Sequence, residues 1–289
     1  MTSKNFIILF IILFTNFLYS QINSTVIDSI SQDPIPHVNI WVIDQDVSTM
    51  TNLQGIFSLP KTYGNKTLVL SAVGYVTKRV YVDKIGDSIT MAPQVEYLEE
   101  ATVFAPSKKK KLFKLASIID RSKLGAYLPG SKSARTMFAK YYQYDEDYQK
   151  TPFLNEIKIA TNSEIKDAKF NVRLFTVNKN GEPEGYIYPK NIIVTAKKGK
   201  HKTKIDLSSL NLKIPKEGFF IAIEWLYLKE DGYYWDSYQP EMGFMQLETH
   251  TGSWHYRYGR WVKIWKNRGE HKHYKEKYNH LAMELVLSN

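Results

Sequence analysis

The chain has 289 residues, 43% hydrophobic and 14% aromatic, enough to bury a sizeable core and to exclude an intrinsically disordered protein. It contains no cysteine, which excludes disulfides, metal–thiolate centres, cysteine nucleophiles and lipid attached through cysteine. A net charge of +10 and a pI near 9.3 either keep the protein soluble or suit an anionic counterpart.

Residues 1–20, MTSKNFIILFIILFTNFLYS, carry one early lysine, an unbroken apolar centre over residues 6–14 and a polar end at Tyr19-Ser20. That is the layout of a secretory signal peptide cleaved before Gln21, with an uncleaved N-terminal anchor as the alternative. No later run approaches the ~20 apolar residues of a membrane-spanning helix. Export without disulfides points to a bacterial envelope. There the basic balance suits acidic glycans, lipid head groups or an acidic protein, and not nucleic acid.

From residue 21 to 105 the pattern is short strands between turn signals. HVNIWVID (37–44) is rich in β-branched and aromatic residues. In TNLQGIFSL (51–59), Thr51 and Asn52 favour a turn, Gly55 admits a positive φ, and Phe57 anchors the strand that follows. KTLVLSAV (66–73) places Leu68, Leu70 and Ala72 on one side, and in KRVYVD (78–83) Val80 and Val82 alternate with Arg79, Tyr81 and Asp83.

The series Pro34-Ile35-Pro36-His37-Val38-Asn39-Ile40, then TNLQGIFSL, then SAVGYVTKRVYV (71–82), then YLEEATVFA (97–105) resembles the carboxypeptidase regulatory-like domain. The resemblance implies a seven-stranded transthyretin-like sandwich of the kind found in exported proteins of Bacteroidetes-type bacteria. Ser24-Thr25-Val26 stands where that family often has Gly-x-Val. In carboxypeptidases this sandwich is a non-catalytic appendage, so the resemblance implies architecture and no peptidase activity.

Residues 106–133 read as a basic connector. Leu112, Leu115 and Ile119 fall at i, i+3 and i+7 among lysines, which predicts a short amphipathic helix, docked on one sandwich or lying on an anionic face. From 134 to 289 β patterning returns. In KFNVRLF (169–175), Phe170, Val172 and Leu174 alternate with Lys169, Asn171 and Arg173. FFIAIEWLYL (219–228) is apolar on both faces except at Glu224, the mark of a central strand, and NHLAMELVL (279–287) sets Leu281, Met283, Leu285 and Leu287 on one face. The fold class is therefore mainly β: an N-terminal seven-stranded transthyretin-like sandwich, a short connecting helix and a larger, jelly-roll-like C-terminal β-sandwich.

Chemistry is sparse. His273 and Glu276 in HYKEKYNH mimic half of a zinc motif, but Lys272, Lys275 and Lys277 disfavour a dication, and a solvated basic loop is the better reading for His271, His273 and His280. Asp145-Glu146-Asp147 reads as an acidic turn before it reads as a calcium loop. No Gly-x-Ser-x-Gly, His-Glu-x-x-His or phosphate-cradling loop appears, so no catalytic, metal or cofactor residues are assigned. The aromatic C-terminal region supplies the candidate ligand or partner surface: Trp235, Trp254, Tyr256, Arg257 and Arg260, with rings for stacking and arginines for acidic groups. Its plainer reading is a hairpin turning at Tyr258-Gly259-Arg260, with alternate rings in the core.

The expectation is a non-enzymatic, exported accessory protein of the cell envelope, periplasmic or associated with the outer membrane or cell surface. Its partner would be an outer-membrane protein, such as a barrel or a secretion or uptake complex. A carbohydrate-binding module taking an acidic glycan on the aromatic surface is the alternative, and a hydrolase comes third.

Overall fold

The computed structural model describes residues 21–45, 47–94, 113–117, 119–131, 137–226, 233–234, 237–248, 253–257, 259–264 and 277–289. The signal-like segment, the YLEEATVFA stretch, Trp235, Trp265, His271, His273 and Glu276 lie outside them.

Two sheets make the first sandwich. Strand Gln21–Asp28 sits between Ile56–Pro60, antiparallel to it, and Ser88–Met91, parallel to it. The facing sheet runs Ser48–Met50, Asn39–Val42, Thr67–Ser71, Lys78–Tyr81, all antiparallel. Three and four strands give the seven expected. Between the sheets lie Val26, Ile40, Val42, Phe57, Leu59, Leu68, Leu70, Ile89 and Met91, which are the inward half of each alternating strand.

The turn before Ile56 works as its sequence dictates. Asn52 Oδ1 accepts from the N–H groups of Gln54 (3.0 Å) and Ile56 (2.9 Å), an Asx-type closure. Gly55 has φ +70, and a Cβ there would lie 2.8 Å from the Val26 carbonyl oxygen. Only glycine combines that dihedral with that approach. Thr51 does different work from a turn former: it is 1% exposed, and its hydroxyl bridges the Ile35 carbonyl and the Val38 N–H, both at 2.8 Å.

The second sandwich packs a seven-stranded sheet on an eight-stranded one. The first is ordered Pro183–Tyr186, Ala168–Val177, Phe219–Trp225, Met137–Tyr142, Ser253–Arg257, Arg260–Lys263, with Ile192–Ala196 also on Ala168–Val177. The second is built on Phe153–Ser163, flanked by Gly199–Asp206, Met283–Ser288 and Ser237–Leu247. Phe170, Val172, Leu174, Ile221, Ile223 and Trp225 face Ile157, Ile159, Phe244, Leu281, Met283, Leu285 and Leu287 across the core.

Among the described residues of the connector, the predicted helix is replaced by strands. Phe113–Ser117 is a strand paired with Met283–Ser288, and Leu124–Ser131, which follows a 3-10 turn at Arg121–Lys123, is a strand paired with Ser237–Leu247. Three apolar positions at helical spacing do not offset the nucleation cost of a helix. A strand laid on the open edge of Met283–Ser288 satisfies its backbone groups at once. The described part of the predicted connector thus belongs to the second sandwich.

The two sandwiches are stacked face to face. The outer face of the first sandwich's four-stranded sheet (Asn39, Trp41, Val69, Ser71) meets the outer face of the seven-stranded sheet. Four β layers result, with a third buried layer between the domains. All seven residues of Phe219–Trp225 are buried because one sandwich core covers one face and this interdomain layer begins on the other.

Candidate functional site

Among the described residues, a buried cluster of chemistry-bearing side chains lies in that interdomain layer. Register builds it: Asn171 stands opposite Glu224, Glu224 opposite Met137, Met137 opposite Tyr256, and Tyr256 opposite Trp261, one continuous row across five strands. Arg173 is two residues beyond Asn171 on the same face. Arg173 Nε donates to Glu224 Oε2 at 2.6 Å, Asn171 Nδ2 donates to the same oxygen at 3.0 Å, and Asn39 Nδ2 of the first sandwich donates to Glu224 Oε1. Arg173 Nη1 donates to the Tyr186 hydroxyl at 2.6 Å, which lies 3.3 Å from Ser71 Oγ of the first sandwich.

Glu224 is 1% exposed and Arg173 2%. Burial works against the arginine's charge, but the Glu224 carboxylate and the Tyr186 hydroxyl more than offset it, holding its pKa above the usual value. Such a pair adds little net stability over an apolar substitute, yet removing one partner leaves an uncompensated buried charge. Its effect is therefore to specify which face docks and in what register. Around it, Trp41 meets Tyr256 edge-on at 4.7 Å between centroids, Tyr256 meets Trp261 at 5.0 Å, and Val69, Ile43 and Met137 complete an apolar cluster shared by both domains.

The sequence-assigned surface is divided by this arrangement. Ser253–Arg257 and Arg260–Lys263 do pair as a hairpin, with Gly259 at φ +76. Trp254 is 5% exposed and packs edge-on against Phe220. Tyr256 is half-buried against the first sandwich, and burial pushes its hydroxyl pKa up. Arg257 is half-buried and Arg260 is exposed. Sequence reasoning missed Asn39, Arg173 and Tyr186. Glu224 was visible as the one polar residue in an apolar strand.

A second buried polar group lies inside the second sandwich. His280 is not in a solvated loop: it is fully buried in strand Tyr278–Leu281, its Nδ1 2.6 Å from Ser253 Oγ. Lys140, the cross-strand partner of Ser253, donates to the Leu281 carbonyl at 3.5 Å, and burial lowers its pKa to about 8. With Ser253 1% and Lys140 7% exposed, the trio is enclosed by protein. Asp145 accepts from the Asp147 N–H at 2.9 Å and so caps a short 3-10 turn. Among the described residues, no group of three or more His, Asp or Glu side chains is arranged to hold a metal ion.

Residues 22–103 match the family model for the CarboxypepD_reg-like domain. The first sandwich is that domain. Its strand Asn39–Val42 brings Asn39 and Trp41 to the interdomain layer, so the family module itself takes part in the network. No curated protein matches the chain in sequence. Among solved structures, the cysteine protease and lectin-like domains of Cwp84, a surface layer associated protein of Clostridium difficile, align over 88% of this chain and 59% of that one, at 9% identity and a TM-score of 0.38. The infectious bursal disease virus Gx strain structure aligns over 88% and 60%, at 10% identity and a TM-score of 0.26. The chain thus spans about three fifths of each of those chains. Likeness of this size does not define a shared fold.

Proposed function

We propose that the protein is a non-enzymatic accessory protein of the bacterial cell envelope, exported by its N-terminal segment, whose stacked sandwiches present a rigid surface to a protein partner at the outer membrane. One observation carries this reading: the CarboxypepD_reg-like domain is locked onto a second sandwich through a buried Asn39–Glu224–Arg173 network. The polar and aromatic groups best suited to ligand chemistry are engaged in holding two domains in one orientation, as an adaptor needs. Two rings of the aromatic C-terminal region, Trp254 and Tyr256, make protein contacts, so they favour this reading over a row of sugar-stacking rings.

The test is crosslinking in the native cells, extraction in mild detergent and identification of what co-purifies. Stoichiometric recovery of an outer-membrane barrel or a secretion component supports the adaptor role. Recovery of the protein alone, at the same crosslinking efficiency, contradicts it and makes a glycan array the next experiment.

A further inference from the structure

His37 stands at the border of the docked layer, two residues before Asn39. Its backbone is held at φ +58, with its N–H donating to the Thr51 carbonyl at 3.2 Å. The next N–H, of Val38, donates to the Thr51 hydroxyl at 2.8 Å, and Thr51 is itself buried. These bonds hold the His37 backbone in place just ahead of the strand that carries Asn39. The His37 Nδ1 is buried and has no hydrogen-bond partner among the described residues.

The charged groups near enough to bias the ring's protonation, Glu224, Arg173 and Lys169, all belong to the second sandwich. Glu224 is the one group that would welcome a proton on the imidazole, but it is engaged by Asn39 at Oε1 and by Asn171 and Arg173 at Oε2, and it makes no hydrogen bond to His37 Nδ1. A protonated ring would add a third cation, without an acceptor, beside Arg173 and Lys169. We propose that His37 makes the docking of the two sandwiches acid-sensitive, so that protonating its ring releases the CarboxypepD_reg-like domain from the second sandwich.

The direction follows from the docked state. Burial, reinforced by Arg173 and Lys169 and opposed by Glu224, holds the docked imidazole's pKa below its ordinary value. The separated form then binds the proton more readily. Docking is complete well above the free imidazole's pKa of about 6.5 and weakens as pH falls through that value. Release would bare Trp41, Val69, Tyr256 and Trp261 together.

Because the chain has no cysteine, Lys61→Cys and Lys198→Cys, at exposed positions of the two sandwiches, can carry a donor and an acceptor dye in the full chain. Energy transfer in the otherwise unaltered protein is expected to fall between about pH 7 and pH 5 while far-UV circular dichroism stays constant. His37→Gln should keep the pH 8 transfer down to pH 5. Lys169→Met, which removes one cation near the ring, should weaken the acid response. A flat profile in the unaltered protein, or the same acid response in His37→Gln, overturns the proposal. If His37→Gln is already separated at pH 8, Lys169→Met decides: a weaker acid response supports the proposal and an unchanged one overturns it.

Discussion

Strands Ala168–Val177 and Phe219–Trp225 each have two buried faces, and the two faces are made differently. Toward the eight-stranded sheet they present Phe170, Val172, Leu174, Ile221 and Ile223, an apolar interior that packs by volume and tolerates similar replacements. Toward the CarboxypepD_reg-like domain they present Asn171, Arg173 and Glu224, together with Ala222 and Phe220. An apolar face drives collapse but says little about orientation. A face with one carboxylate and a fixed set of donors accepts one register of the opposing domain. The molecule thus builds each sandwich with hydrophobic burial and joins the sandwiches with directional polar contacts set beside an apolar cluster around Trp41, Val69 and Tyr256.

The strongest way to break that contrast is Glu224→Ala, which leaves Arg173 buried without its counter-charge. It should lower stability by about 3–5 kcal/mol in urea unfolding. A loss no larger than that of an exposed substitution would show that the pair is not desolvated.

Lys140 offers the counterpart within the second sandwich. Its pKa falls from 10.5 to about 8 on burial. Between those values the unfolded chain binds a proton that the folded one does not, so stability rises with pH across the window and is lost as pH falls through it. The shift corresponds to about 3 kcal/mol. Relative to Lys140→Met, the unaltered protein should gain most of that amount between pH 8 and pH 10.5. Parallel pH profiles for the two proteins would place the amine in water.

Gly74→Ala sharpens the comparison from the first sandwich. At φ +81, a Cβ on Gly74 would lie 2.6 Å from the Pro189 carbonyl oxygen of the second sandwich. A loss of about 1–3 kcal/mol is expected, accompanied by reduced energy transfer between the dye-labelled domains. Arg260→Ala, on the exposed side of the hairpin turn, should change stability by less than about 0.5 kcal/mol. A larger effect would mean that the hairpin's outer arginine also holds the domains together.

What was legible in the sequence follows the same division. Alternation located the inward faces because Leu68 and Leu70, Phe170 and Val172, and Leu281, Met283 and Leu285 repeat every second residue, as a pleated strand requires. The Gly55 turn and the hairpin at Gly259 were readable because a positive φ has few occupants. The outer faces were not. Asn171 and Arg173 look solvent-facing by alternation, and their burial depends on a separate domain that lies far earlier in the chain. Glu224 alone betrayed the layer, since a carboxylate in an otherwise apolar strand needs a partner. The helix predicted around Leu115 failed for a related reason: its stripe was short, and the strand edge that captured the segment belongs to Met283–Ser288, far along the chain. His280, read as part of a basic loop, is held inside by Ser253, a contact that local composition does not encode.

The central claim is that Asn39 of one sandwich and Glu224 of the other are energetically joined. A double-mutant cycle in the full chain tests it most directly, with Asn39→Ala, Glu224→Ala and the pair compared by urea unfolding. A coupling of about 1 kcal/mol or more is predicted, because the contact is buried and charge-assisted. Additivity within about 0.3–0.5 kcal/mol would contradict it, leaving the stacked sandwiches without their polar lock.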